Sequence, residues 1–343
     1  MVKYLKLIHN WTGFVISIIM LIVLTTGIYL GGIDLLKRLD DKDQKFQPLS
    51  QIQKAEITAK LASSYPQLKS VKLPTQERPF VELSLPDETL FLTSDLAQIE
   101  RVDNIRDPIW RWIFFFHRNF QLDQPGKHVN AVSAIAASII MVIGVYLWWL
   151  VRKSFRWKHT FPKNTKNTAL IKSHIQLGLL FSVPMIIMAV TGAYITYGPR
   201  GMAPYEEPVR NIAPAGDLKN QLIAAQEMWP NAELVRISKP RRPVKGRNAI
   251  NLSFNGHNLF ALSQTDSMQI DVATGDLLSA QTFGDKGLTY QAKYSARFLH
   301  DGARMPTAYL LVLIISSFVG VFMVCFAMTT FVRKEFIGKL RRA

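Results

Sequence analysis

Four stretches of this chain carry no Asp, Glu, Lys or Arg: Trp11–Ile33, Val129–Val151, Ile175–Gly198 and Met305–Val332. Each exceeds the roughly 20 residues that a helix rising about 1.5 Å per residue needs to cross a hydrocarbon core of about 30 Å. Soluble core helices rarely run so long uncharged, so an α-helical membrane protein with four spans is expected. Trp148 and Trp149 end the second stretch, and Trp110 and Trp112 precede it, as an interfacial aromatic belt requires. The first stretch is longer than the apolar region of a signal peptide. Leu30-Gly31-Gly32-Ile33 is a poor cleavage site, so an uncleaved anchor is expected.

Charge orients the spans. The connection after the second span carries Arg152, Lys153, Arg156, Lys158, Lys163, Lys166 and Lys172 with no acid. The tail after the fourth holds Arg333, Lys334, Lys339, Arg341 and Arg342 against Glu335. With Lys3 and Lys6 these pieces hold +13 of the chain's +16. The positive-inside rule then puts both termini and the middle loop in the cytoplasm and the two long connections across the membrane, which is periplasmic for a bacterial inner membrane. Anionic lipid headgroups account for the basic excess, and no nucleic-acid partner is implied. The single cysteine, Cys325, lies within the fourth span, so neither an internal disulfide nor a covalent C-x-x-C-H haem attachment can form.

An internal repeat is the most informative pattern. At a constant offset of 165 residues, His9, Gly13, Ser17, Met20, Thr26, Gly27 and Tyr29 match His174, Gly178, Ser182, Met185, Thr191, Gly192 and Tyr194. Beyond each of these spans lies a helical segment, 51–64 or 217–228, followed by strand-like alternation. In the first half this covers Ser70–Leu73, Phe80–Leu85 and Thr89–Thr93; in the second, Glu233–Ile237, Ala249–Phe254 and Met268–Val272. The expected architecture is thus a four-helix transmembrane bundle from two tandem repeats, with two periplasmic α+β units. In residues, this gives a first span at 1–33 and unit 1 at 34–110. An interfacial segment with the second span covers 111–151, the basic loop 152–173 and the third span 174–198. Unit 2 spans 199–296, an interfacial segment with the fourth span 297–332, and the tail 333–343.

Four of the seven histidines occupy equivalent places. His9 and His174 sit at the basic ends of the first and third spans; His117 and His300 precede the second and fourth at the opposite face. Ionisable residues in or beside spans are costly and tend to have a partner. At about 100° per residue, His9, Gly13, Ser17 and Met20 form one stripe, with His174, Gly178, Ser182 and Met185 as its twin. Gly13 and Gly178 leave space beside each imidazole where a flat macrocycle could lie, although small residues also serve close helix packing. Two imidazoles facing each other across a porphyrin iron leave no vacant ligand position, which favours electron transfer over oxygen chemistry. His9 to Leu30 is 21 residues, about 32 Å of helix, enough for one haem b in each leaflet. Arg111, Arg118, Arg297 and Arg304 are candidate partners of haem propionates. His128 competes with His117 as the outer ligand, while His159 and His257 read as surface residues.

His9…Thr26-Gly27, Phe116-His117-Arg118 leading to Gly126-Lys127, His174…Thr191-Gly192, Leu299-His300-Asp-Gly302 and Asp271-Val-Ala-Thr-Gly275 together resemble the PepSY-associated transmembrane proteins. That group contains inner-membrane reductases of ferric siderophores, and the likeness covers nearly the whole chain. It implies bound haem b, periplasmic α+β units and electron delivery to an iron chelate. Departures are His128 where arginine is expected, Ser317-Phe-Val-Gly320 in place of a Thr-Gly ending, and Ser94-Asp-Leu-Ala-Gln in place of a Thr-Gly turn. The expected activity is that of a di-haem ferric-siderophore reductase fed by a quinol or a cytoplasmic reductase. Tyr197–Tyr205 and Lys239–Lys245 are candidate walls of the chelate site. A haem-free scaffold or regulator binding a periplasmic partner protein, and a transporter, are the competing classes.

Overall fold

The computed structural model describes residues 1–41, 47–75, 78–99, 107–198, 210–240, 247–255, 265–302 and 305–337. In chain order these form α1 (Val2–Asp41), α2 (Gln51–Ser64), β1 (Ser70–Lys72), β2 (Val81–Ser84), β3 (Thr89–Leu92) and β4 (Gln98–Ile99). Next come α3 (Pro108–Asn119), α4 (Asp123–Trp149), α5 (Asn167–Tyr197), β5 (Arg210–Asn211) and α6 (Leu218–Met228). The remainder is β6 (Glu233–Ser238), β7 (Ala249–Asn255), β8 (Thr265–Asp271), β9 (Asp276–Gln281), α7 (Leu288–Asp301) and α8 (Thr307–Val332). The chain divides into a helical unit, Met1–Leu36 with Ile105–Gly198 and Ala296–Ala343, and a sheet unit, Lys37–Asn104 with Pro199–Ser295.

In the helical unit, α1, α4, α5 and α8 are long and apolar enough to cross a membrane. Two of them clearly overrun the charge-free stretches: α1 continues to Asp41 and α5 begins at Asn167, because nothing in the flanking polar residues breaks a helix. α5 packs against α4 and α8. α1 meets α4 through His9 and Ile140, and α8 through Phe14 stacked on Phe331 at 4.4 Å. Short α3 is started by the Asp107 carboxylate, which accepts from the Ile109 and Trp110 amides, with Pro108 in the first turn where no amide proton is needed. Phe120, Gln121 and Asp123 then adopt positive φ and turn the chain into α4. A Cβ at Gly126 would lie 1.7 Å from the Asn119 carbonyl oxygen, so only glycine lets α4 press this closely on the end of α3.

The two α+β units expected from the sequence are halves of one sheet. Its strand order, β4-β3-β2-β1-β6-β7-β8-β9-β5, is nearly a palindrome about the antiparallel β1–β6 pair, where Val71 faces Ile237. Each half alone would expose its first strand as an open edge; pairing the two satisfies both rows of backbone groups. β9 and the short strands β4 and β5 were not foreseen. α2 and α6 cover one face, burying Leu61, Leu222 and Ala225 against Leu83, Leu252, Phe254, Met268 and Leu277. Each such large side chain contributes about 1.5–3 kcal/mol. Ser50 and Gln53 form a reciprocal capping box at the start of α2. Lys54, 4% exposed, reaches from α2 to Glu233 of β6 at 2.7 Å, and Lys219 of α6 returns to Glu56 of α2 at 2.7 Å, so the halves clasp each other.

Candidate functional site

The helical unit brings the four symmetric histidines together in two pairs. His9 and His174 have ring centroids 6.2 Å apart at 73°, and His117 and His300 have theirs 6.2 Å apart at 51°. All four rings are partly shielded by the helices.

One ring nitrogen of each imidazole is engaged. His9 Nδ1 donates to the Ile140 carbonyl on α4 at 2.9 Å, and His174 Nδ1 to the Met323 carbonyl on α8 at 3.1 Å. His300 Nδ1 donates to the Met188 carbonyl on α5 at 2.9 Å. A carbonyl can only accept, so these rings carry their proton on Nδ1. His117 Nδ1 lies 2.9 Å from Thr26 Oγ1. The Thr26 hydroxyl spends its own proton on the Ile22 and Val23 carbonyls, at 2.7 and 3.0 Å, so it accepts from His117. Thr191 repeats this arrangement toward His300 at 3.3 Å while donating to the Ile187 carbonyl. Nε2 is thereby left as the basic nitrogen in every ring. Anchoring Nδ1–H on a carbonyl while Nε2 stays free is how metal-ligating histidines are usually held.

The spacing tests what such rings could hold. An imidazole nitrogen sits about 2.0 Å from a bound metal and about 1.1 Å from its own ring centre, so two rings on opposite sides of one ion have centroids about 6.2 Å apart. Both pairs meet that value. Among the described residues no cluster of three or more His, Cys, Asp or Glu is formed, so the pairs have no further side-chain ligand of the kind a structural zinc site uses. The ring spacing of both pairs is compatible with two imidazoles on one iron. Thr26 lies 17 residues beyond His9 on α1, which separates the pairs by about 26 Å along that helix.

The glycines act differently from the expectation. The space beside Gly13 is taken by Ile140 Cδ1, 3.6 Å from where a Cβ would be, and that beside Gly178 by Met323 Cε at 3.0 Å. These are the residues whose carbonyls receive His9 and His174. Gly13 and Gly178 therefore let the neighbouring helix come close enough for the imidazole to reach its backbone, and the stretch beside each ring is not an open slot. The glycines that abut the rings are Gly144 against His9, Gly27 against His117 and Gly192 against His300, with Cε1 at 3.0, 3.5 and 3.0 Å from the Cβ position. Thr26-Gly27 and Thr191-Gly192 were visible as repeat identities. Their contact with the outer histidines was not, because those rings come from other helices.

Of the competing ligands, His128 is exposed and bonded through Nδ1 to Tyr197 Oη at 2.9 Å, with the rings stacked. His117 is the residue that faces His300, and Asn130 steadies its helix by donating to the His117 carbonyl at 2.8 Å. Arg118 is exposed, and Arg297 is 74% exposed beside Asp301 at 3.6 Å. Arg111 lies over the Phe115 ring. Arg304, His257 and most of the Tyr197–Tyr205 and Lys239–Lys245 segments lie outside the described residues.

No curated protein matches this chain. A comparison with protein families matches residues 6–334 to the PepSY-associated TM region. With the match running from before His9 into the fourth apolar helix, the chain is a membrane protein of the PepSY-associated TM family.

Proposed function

We propose that this protein is an inner-membrane reductase that passes single electrons to a periplasmic ferric chelate of siderophore type, releasing the iron as Fe(II). The observation that carries this reading is the twin imidazole pair: 6.2 Å between ring centres, twice, with Nδ1 of every ring engaged. Haem b, which His9 with His174 and His117 with His300 would hold, would supply one-electron transfer. The chain's own residues set the terms for it. The Ile140, Met323 and Met188 carbonyls and the Thr26 hydroxyl fix ring orientation and raise the basicity of Nε2. The helices partly shield both pairs, and exposed Arg118 and Arg297, the latter beside Asp301, are candidate cations for propionates.

The helical unit is a tandem repeat in this reading. Its support is that contacts recur at matched offsets: 165 residues relate His9, Gly13 and Thr26 to His174, Gly178 and Thr191, and 183 relate Ile140 and His117 to Met323 and His300. The basic loop and tail orient the His9–His174 end toward the cytoplasm, where a quinol or a cytoplasmic reductase would donate, and the sheet unit toward the periplasm.

A reduced-minus-oxidised visible spectrum of protein purified from haem-replete cells tests the assignment. Bands of six-coordinate haem b are expected, and His174→Ala should remove about half the haem. A spectrum without haem bands would sink the reductase in favour of a haem-free scaffold that binds a periplasmic protein. Unchanged haem content in His174→Ala would break the pairing.

A further inference from the structure

The sheet face opposite α2 and α6 carries polar side chains in register. Residues directly opposite each other in antiparallel strands share a face, so the strand registers define two polar rungs there. One runs Ser84, Ser70, Ser238, Asn251, Gln269. The next runs Glu82, Lys72, Arg236, Ser253, Ser267. Apolar neighbours such as Val71 and Ile237 point the other way, into the core under α2 and α6. Serine and amide side chains are short and offer both donors and acceptors. They contribute nothing to an apolar core; Ser70 is buried among them, and Gln269 Nε2 donates to Asn251 Oδ1 at 2.9 Å.

Charge is placed at the centre of the rungs, where the two halves of the sheet meet. Lys72 comes from the first half and Arg236 from the second, directly opposite across the β1–β6 seam. Lys72 Nζ is bonded to Glu82. Arg236 is exposed, and among the described residues no carboxylate pairs with it. Arg78 adds a third cation, its guanidinium donating to the Leu73 carbonyl at 3.2 Å. Burial pushes the Lys72 ammonium pKa down, Glu82 opposes this, and the charges of Arg78 and Arg236 push it down further. Among the described residues, Lys72 and Arg236 thus face the single carboxylate of Glu82 across the seam, on a floor of serine and amide side chains. Phe91, on the same face beyond Glu82 and edge-on to Phe80 at 5.5 Å, bounds this floor at one end.

We propose that this sheet face is a binding surface for a small, oxygen-rich polyanion, seated on Arg236 and Lys72 and hydrogen-bonded by the flanking serine and amide side chains. In the reductase reading, on which the identity of the ligand rests, it selects anionic ferric chelates with carboxylate or catecholate oxygens over cationic ones. The surface exists only because β1 and β6 pair, so neither half of the sheet could form it alone.

The test is a calorimetric titration of gallium(III) citrate, anionic and redox-inert, into the full-length protein in detergent. Saturable binding that weakens with added salt is expected. Arg236→Gln should weaken it about tenfold or more, Arg236→Lys should restore part of the loss, and Lys219→Gln on α6 should leave it unchanged. Absence of saturable binding to the wild type at millimolar concentration overturns the proposal. So does an unaltered affinity in Arg236→Gln whose melting curve matches the wild type. Gallium takes up no electron here, so the binding result and the haem spectrum fail independently.

Discussion

Adding one methyl group at Gly192 and at Gly27 should have opposite consequences, although the two glycines are repeat partners. A Cβ at Gly192 would lie 3.0 Å from His300 Cε1 and 3.4 Å from its Nδ1; at Gly27 the nearest atoms are His117 Cε1 at 3.5 Å and Nδ1 at 4.0 Å. Ordinary carbon contacts fall at about 3.5–4.0 Å, so His300 must retreat by about 0.5 Å while His117 need not move. That retreat stretches the 2.9 Å bond from His300 Nδ1 to the Met188 carbonyl to the edge of hydrogen bonding. Overpacking costs about 1–3 kcal/mol and the lost hydrogen bond about 1 kcal/mol, together about 2–4 kcal/mol. At about 1.4 kcal/mol per factor of ten, the His117–His300 site should hold haem some 30- to several-hundred-fold more weakly in Gly192→Ala. Gly27→Ala should be neutral or slightly stabilising, since alanine is favoured over glycine in a helix by about 1 kcal/mol. The assay is haem per polypeptide after purification, with the low-spin ferric EPR signals distinguishing the two sites and thermal melts reporting the fold. Equal behaviour of the two variants, or a fully loaded Gly192→Ala with unshifted signals, would refute the steric argument.

Two further outcomes follow from other contacts. His128→Ala should leave haem content and spectrum unchanged, because His128 is engaged with Tyr197, whereas His117→Ala should empty one site; pyridine haemochrome assays of both variants decide it. Gly275→Ala should destabilise the sheet unit by more than about 2 kcal/mol, since φ is +77° and the new Cβ would lie 1.9 Å from the Ala213 carbonyl oxygen; a drop in the melting temperature of the full-length protein measures it.

The membrane-spanning helices, their number and the repeated His9 and His174 were legible from residue order. Charge-free length is a local property, and a rare residue repeated at a constant offset survives any folding of the chain. Most strands of the sheet were legible too, because alternation of buried and half-buried residues, as in Ile250–Asn255, is written in neighbouring positions. His117 and His128 could not be separated this way. Both are near the start of the second span, and only the turn through Phe120, Gln121 and Asp123 decides which of them faces His300.

Contacts between distant segments depended on the tertiary structure. Gly13 and Gly178 read as room for a macrocycle, yet their neighbours turn out to be Ile140 and Met323, residues more than 120 positions away. Thr26 and Thr191 were visible as matches, but a threonine hydroxyl becomes a histidine anchor only once another helix delivers the ring. The two α+β units merged for a similar reason: an unpaired edge strand gains most by pairing with a strand of matching register, and the sequence of one half does not contain its partner. Residue order therefore settled what crosses the membrane and which side chains are available for chemistry. Which of them meet, and with Nδ1 held, was settled by packing, because a hydrogen bond to a backbone carbonyl 131 residues away leaves no periodicity in the chain.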